Sequence, residues 1–193
     1  MQARRAAHFW KRSVLQTVGL APKVHYDNRP VQRRLTGDQK EIRMTCHQLL
    51  LYHIIFSTKE RRPLLREDEF RESVWRYMAG VAGNLQGHAL RVGGHIDHVH
   101  LLLRIPAKVA VTDFVRQLKA STSKHINQES QSVLKFHWQD GYGAFTVSRS
   151  KVDAVVAFID RQIEHHCKRT FQEEYLQMLS DHQVDFDPKY LWE

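Results

Sequence analysis

Two histidines separated by one residue, His98-Val99-His100, open a run of apolar residues, Leu101-Leu102-Leu103. The run reads as a buried β-strand. Side chains alternate faces along a strand, so His98 and His100 point the same way and Val99 points to the other side. Two imidazoles about 7 Å apart along one strand face can share a divalent cation. His95 and Asp97 crowd the turn just before them, a dense set of titratable groups for so apolar a segment. Packed or hydrogen-bonded histidines are the competing reading of the same pair.

A third donor must come from elsewhere. The segment 150–167 reads as a helix with an apolar stripe of Val152, Val155, Val156, Ile159 and Ile163. Residues four apart on a helix stand one above the other, which places Phe158 and Gln162 in one row beside that stripe, extended by Ala154 and by His165 or His166. Gln162 can give an amide oxygen to the same ion. Two imidazoles, one oxygen and water suit Mg²⁺ or Mn²⁺ better than a closed structural zinc site, which takes four protein ligands. The bland alternative makes Phe158 a core residue and Gln162 a solvated one. His165-His166 reads as a hydrogen-bonding or surface pair.

The elements around these residues form a consistent order. Leu49–Ser57 is apolar and β-branched, a first strand. Glu67–Leu85 has helical spacing and ends at Gly87. His88–Ile96 is a second strand with Gly93-Gly94 marking a bulge or a close backbone approach, and His98–Ile105 a third. The link between them is either a tight hairpin at Asp97 or a bend in one long strand. Thr112 caps a helix to Ile126; Phe136–Gly143 is an aromatic loop; Ala144–Ser148 is a short strand. Ser150 caps the helix carrying Phe158, and Thr170-Phe171-Gln172-Glu173 has the pattern of a capping box opening a last helix to His182. In the tail, Tyr190, Leu191 and Trp192 are available to pack. The order predicts an α+β fold, an antiparallel sheet with helices mainly on one face.

The net charge of +8 is concentrated in residues 1–43, which carry ten Lys/Arg against three acidic residues; 44–193 is nearly balanced, with nineteen against eighteen. Residues 1–43 read as a basic, mostly disordered extension with a short helix around 4–18, and 44–193 as the domain. Met44 is a candidate alternative start. No apolar run approaches the roughly 20 residues of a membrane span, and the N-terminus lacks the apolar core of a signal peptide. Cys46 and Cys167 show no CxxC spacing, so a reducing, cytoplasmic location is expected. The helix at 112–126 carries Arg116, Lys119, Ser121, Thr122, Ser123 and Lys124, where cations would neutralise phosphates and hydroxyls would fix register. Trp138 and Tyr142 in the Gly-containing loop would stack unpaired bases, or Trp138 would plug the core. Arg61-Arg62 is a smaller basic cluster.

Together these motifs resemble the single-tyrosine HUH transposases of bacterial insertion sequences and their REP-associated relatives. The resemblance covers nearly all of 44–193. It rests on Leu51-Tyr52-His53-Ile54-Ile55-Phe56-Ser57-Thr58-Lys59, Asp97-His98-Val99-His100-Leu101-Leu102, Trp138-Gln139-Asp140-Gly141-Tyr142-Gly143-Ala144-Phe145, and Phe158-Ile159-Asp160-Arg161-Gln162 followed by His165-His166. It implies an RRM/ferredoxin-like sheet, a homodimer, and Mg²⁺ or Mn²⁺ on His98, His100 and Gln162. It also implies recognition of single-stranded or hairpin DNA at element ends, with cleavage and rejoining through a 5′-phosphotyrosine. The nucleophile departs from the pattern, because Phe158 stands where the family has tyrosine. An engineered knockout, a decayed or domesticated DNA-binding relative, or a substitute tyrosine such as Tyr142 would each account for it. Two further readings remain: a non-catalytic single-strand or hairpin DNA-binding protein, and a small metal-dependent phosphodiesterase.

Overall fold

The computed structural model describes residues 47–129 and 135–192. The extension 1–43 and Met44, read above as a basic arm and a candidate start, lie outside the described residues. Four strands form one antiparallel sheet: β1 (Leu51–Ser57), β2 (His88–Gly94), β3 (His98–Arg104) and β4 (Gly143–Thr146), in the order β2-β3-β1-β4. The longer helices are α1 (Asp68–Asn84), between β1 and β2, and α2 (Val111–Glu129), between β3 and β4. This βαββαβ order with β1 and β3 central is the RRM/ferredoxin-like arrangement, an α+β fold. Three shorter helices follow: α3 (Val152–Asp160), α4 (Gln162–His166) and α5 (Phe171–Asp181).

Strand alternation divides the core. Ile54 and Phe56 of β1 and Val99, Leu101 and Leu103 of β3 face α1 and α2, where they meet Val74, Met78, Phe114, Val115 and Leu118. This is the main apolar core, and the two long helices share its face of the sheet. The intervening residues of the same strands point to the other face: His53 and Ile55 from β1, His98, His100 and Leu102 from β3. Two smaller clusters cover that side. Leu51 and Leu102 pack with Val152 and Ile159 of α3, and Ile55 and Phe145 with Phe171, Tyr175 and Leu179 of α5. The histidine face is therefore roofed by the short C-terminal helices. Leu191 and Trp192 of the tail pack against the α5 cluster.

The link between β2 and β3 is a hairpin, with the His95 N–H donating to His98 O at 3.1 Å. Gly94 takes φ +154, a conformation that side chains rarely adopt. Gly93 pairs with His100, and a Cβ there would stand 2.6 Å from Ile159 Cγ2 and 3.0 Å from its carbonyl oxygen. The missing side chain lets α3 settle directly onto the sheet beside His100.

Three local expectations differ from the structure. The helix expected over 150–167 is broken at Arg161, whose N–H reaches back only three residues to Phe158 O. A tightened turn separates α3 from α4 there. Ser150 is not a cap: it lies in the short 3₁₀ turn Arg149–Lys151 that leads into α3, and Lys151 holds the cap position. Likewise α2 starts at Val111, so Thr112 lies within its first turn. The capping box is present, with the Glu173 N–H donating to Thr170 Oγ1 at 3.3 Å and the Thr170 N–H to Glu173 Oε2 at 2.9 Å.

Replacing Gly93 by alanine forces α3 away from the sheet. Overpacking of this kind costs about 1–3 kcal/mol, so Gly93→Ala should lower the urea midpoint accordingly. An unchanged midpoint would contradict the close seating of α3.

Candidate metal centre

His98 and His100 are fully buried side by side on β3, their ring centroids 5.1 Å apart. Each has its Nδ1 engaged by a neighbour. His98 Nδ1 meets Asp97 Oδ1 at 2.7 Å, and His100 Nδ1 meets His53 Nε2 at 3.0 Å. His53 pairs with Leu102 in the register of β1 and β3, so its contact with His100 is diagonal across the strands. Partners at Nδ1 set ring orientation and turn Nε2 inward, the arrangement that metal-binding histidines use.

Gln162 begins α4 and is 1% exposed. Its amide oxygen lies 3.2 Å from His98 Nε2 and 2.9 Å from His166 Nε2. Its amide nitrogen donates to Glu174 Oε2 at 3.4 Å, which fixes the oxygen toward the imidazoles. The ring nitrogens facing this oxygen decide its chemistry. The Asp97 carboxylate takes the Nδ1 proton of His98, and the Arg169 carbonyl takes that of His166 at 2.8 Å. In the neutral rings both Nε2 atoms then carry lone pairs, and they face a third lone-pair donor. Converging acceptors of this kind call for a cation. His100 Nε2 adds a further buried atom with no hydrogen-bond partner. The spacing also fits, since donors at right angles around an ion with bonds of about 2.1 Å lie about 3 Å apart. Among the described residues, no group of three or more His, Cys, Asp or Glu side chains is already arranged to hold an ion; the donors that converge here are the two imidazoles and the amide.

Burial favours the neutral form of three of these rings, His100, His166 and His53. Burial, then the neighbouring His98, pushes His100 well below the usual imidazole range. Burial and His98 lower His166 in the same order. Burial, reinforced by His100, pushes His53 down to about 3. Burial raises the Asp97 carboxyl, but its hydrogen bond to His98 and the nearby imidazoles outweigh that and hold it below the carboxylate range.

Phe158 ends its row at the same place. Its ring stands edge-on to His100 at 5.7 Å, to His165 at 5.5 Å and to His53 at 6.2 Å. It lines an open groove of about 650 Å³ with Arg161, Glu164, His165, Lys168, Arg169 and Glu173. His98, His100, Phe158 and Gln162 thus meet within a single chain.

The other site candidates do not join this face. Tyr142 packs against the core on the α1 and α2 side, and its hydroxyl lies 3.1 Å from Thr112 Oγ1. It cannot substitute for a nucleophile beside His100 in the same chain. Trp138 is 5% exposed, edge-on to Phe56 at 5.0 Å and to Phe136 at 4.8 Å. It plugs the core, and its faces are closed to base stacking. The Lys119 ammonium donates to the carbonyl oxygens of Gln139, Asp140 and Gly141 at 2.5, 3.0 and 3.0 Å. All three of its donors staple the loop, leaving none for a phosphate, and burial pushes its pKa down to about 8. Arg116 is exposed but paired with Asp113 at 3.0 Å. Ser121 and Ser123 are half-buried and Lys124 is exposed, on the helix that covers the opposite face from the histidines. Arg62 pairs with Glu60, and Arg61 lies over the Trp192 ring. Sequence reasoning missed His53, Glu174, and the cations Arg161, Lys168 and Arg169. The signal for His53 was its place in β1, two residues before Ile55, the register partner of His100, on the same face of the sheet.

Residues 46–162 match the family described as IS200-like transposase, and the chain belongs to that family. It is 28% identical over 137 residues to the transposase for insertion sequence element IS200 of Salmonella typhimurium, across 66% of this chain and 86% of the relative; the Salmonella typhi protein of the same description matches equally. Among solved structures, a chain described as a transposase from Deinococcus radiodurans R1 is similar at TM-score 0.49 and 22% identity, over 66% of this chain and 98% of that one. A REP-associated tyrosine transposase bound to a REP hairpin is similar at TM-score 0.48 and 13% identity, over 66% and 74%. No helix among the described residues is long and apolar enough to cross a membrane.

Burial of His53 as a neutral ring predicts acid sensitivity. Its folded pKa of about 3 lies below the unfolded 6.5, so the unfolded chain binds the extra proton in that window. The associated stability is complete above the unfolded value and is lost as pH falls through the window, at about 1.4 kcal/mol per pH unit for one proton. In chelator, thermal melts of the wild type should fall more steeply from pH 6.5 downward than those of His53→Gln. Parallel curves would contradict the neutral burial.

Proposed function

We propose that this transposase binds single-stranded or hairpin DNA at mobile-element ends through a divalent-cation centre, and does not form the covalent 5′-phosphotyrosine link of its family. His98, His100 and Gln162 would hold Mg²⁺ or Mn²⁺. When bound, the cation would polarise the scissile phosphate and offset the charge that develops on it. Asp97 and His53 hold the two imidazoles in orientation, and α3 and α4 bring the amide to them. The strand would run along the groove beside Phe158, where Arg161, Lys168 and Arg169 can neutralise phosphates.

The observation that carries the non-covalent reading is the Phe158 ring, set against His100 and one turn before Gln162. The resemblance places the attacking tyrosine there. Phenylalanine keeps the ring and its packing and lacks the oxygen that would attack phosphorus. Tyr142, on the far side of the sheet, does not replace it. A non-catalytic, domesticated or decayed DNA-binding protein is therefore the form of the family reading that the site favours. The homodimer implied by the resemblance is part of this proposal. The meeting of Phe158 and Gln162 with His98 and His100 in one chain favours a site formed in cis. A cytoplasmic location completes it.

Mixed with Mn²⁺ and a hairpin-bearing single strand, the protein should bind with strong salt dependence and give no protein-linked DNA on a denaturing gel. Removing Lys168 or Arg169 should lower the slope of log affinity against log salt by about 0.7 for each lost phosphate contact. Phe158→Tyr should produce a protein-linked 5′ fragment. An adduct formed by the unaltered chain would refute the non-covalent reading, and a Phe158→Tyr protein that binds but forms none would refute the assignment of position 158.

A further inference from the structure

Among the described residues, Glu174 is the one carboxylate sealed beneath the histidine face by α5. It is 3% exposed, and its neighbours are not those of an ordinary buried acid. No lysine or arginine is paired with it among the described residues. Its Oε1 lies 3.1 Å from His100 Nε2, and its Oε2 lies 3.0 Å from His165 Nε2 and 3.5 Å from His166 Nε2. These contacts are close yet misaligned for hydrogen bonding: Glu174 Oε1, His100 Nε2 and His165 Nε2 all remain without a hydrogen-bond partner. Among the described residues its one hydrogen bond is accepted from the Gln162 amide nitrogen, at 3.4 Å.

A buried carboxylate with an orphaned oxygen is costly unless a cation or a donor meets it. The remedy is already implied by the neighbouring atoms. His100 Nε2 and Glu174 Oε1 are two orphaned donors separated by about the distance expected of adjacent ligands on one ion. The fold also explains why Glu174 stands there. The capping box at Thr170 and Glu173 fixes the start of α5, and Phe171 stacks on the His98 ring at 4.4 Å. The first turn of α5 is thereby pinned over the histidine pair, and Glu174 points into it.

We infer that Glu174, not already grouped with the imidazoles around an ion position, becomes a further ligand of the metal centre when a cation binds, converting two imidazoles and an amide into a set that includes a carboxylate. This rests on the metal reading proposed above. It also goes beyond it in cation preference. A neutral set leaves the full charge of a divalent ion uncompensated, whereas one carboxylate offsets half of it. Two imidazoles with a carboxylate favour Mn²⁺, Fe²⁺ or Zn²⁺ over Mg²⁺. The residue lies outside the 46–162 stretch that matches the family, so its part in the site comes from the C-terminal roof.

The test is Mn²⁺ titration calorimetry on the full chain after chelator treatment, with Mg²⁺ run in parallel. Wild type should bind Mn²⁺ more tightly than Mg²⁺. Glu174→Gln, nearly identical in shape, should weaken Mn²⁺ at least about tenfold, and Glu174→Asp should recover part of the loss. A Glu174→Gln protein with unchanged Mn²⁺ affinity, while His98→Ala abolishes it, would overturn the role of Glu174 and leave the metal centre standing. Absence of Mn²⁺ binding by the wild type, or binding that His98→Ala leaves intact, would overturn both. Should Glu174→Gln fail to fold, Mn²⁺-soaked crystals of the unaltered protein decide. An anomalous peak within about 2.5 Å of the Glu174 carboxylate supports the inference, and a peak on His98 and His100 with that carboxylate outside bonding distance overturns it.

Discussion

The architecture of the site depends on one contact, the meeting of the Gln162 amide oxygen with His98 Nε2 at 3.2 Å across 64 residues of chain. With the Nδ1 proton of His98 committed to Asp97, the Nε2 of the neutral ring and the amide oxygen both present lone pairs, and a cation would join them. Most of the histidine face can be read as the means of holding this contact. The diagonal from His53 steadies His100, Glu174 holds the amide nitrogen, and the break at Arg161 turns Gln162 inward.

The sheet makes this possible because its two faces do different work. One face, packed under α1 and α2, supplies most of the apolar burial that stabilises the domain. The other can then carry buried imidazoles, an amide and a carboxylate that would be poor material for a main core. Short helices suit this second face. They bury modest clusters around Ile159 and Tyr175 and leave the groove by Phe158 open. The close seating of Ile159 on Gly93 sets the depth of α3, and hence the reach of Phe158 and Gln162 toward β3.

Much of this was legible because it follows from periodicity. The alternation of β3 put His98 and His100 on one face, and the four-residue spacing put Phe158 and Gln162 in one row. The strand and helix order predicted an antiparallel sheet with helices, and the resemblance implied its RRM/ferredoxin-like arrangement. What escaped depends on register and tertiary packing. His53 looks like any strand residue until the pairing of β1 with β3 brings it diagonal to His100. The break at Arg161 has no glycine or proline to announce it. As sequence, Trp138 and Tyr142 read as base-stacking groups in a Gly-containing loop, with a core position open for Trp138, and Lys119 reads as a phosphate contact on its helix. The loop instead folds onto the core, and its carbonyls capture the lysine. Glu174 sits in a capping-box helix whose acidic first turn reads as local stabilisation of the helix dipole. Only the docking of that turn beneath β3 gives it another meaning.

The central claim is that His98 and Gln162 act on one ion. A double-mutant cycle on Mn²⁺ affinity measures this directly, using His98→Ala, Gln162→Ala and the pair. If both side chains serve the same ion, each single change weakens binding and the double change costs clearly less than the two losses added together. Strictly additive losses, or a Gln162→Ala protein that binds Mn²⁺ as the wild type does, would contradict the account.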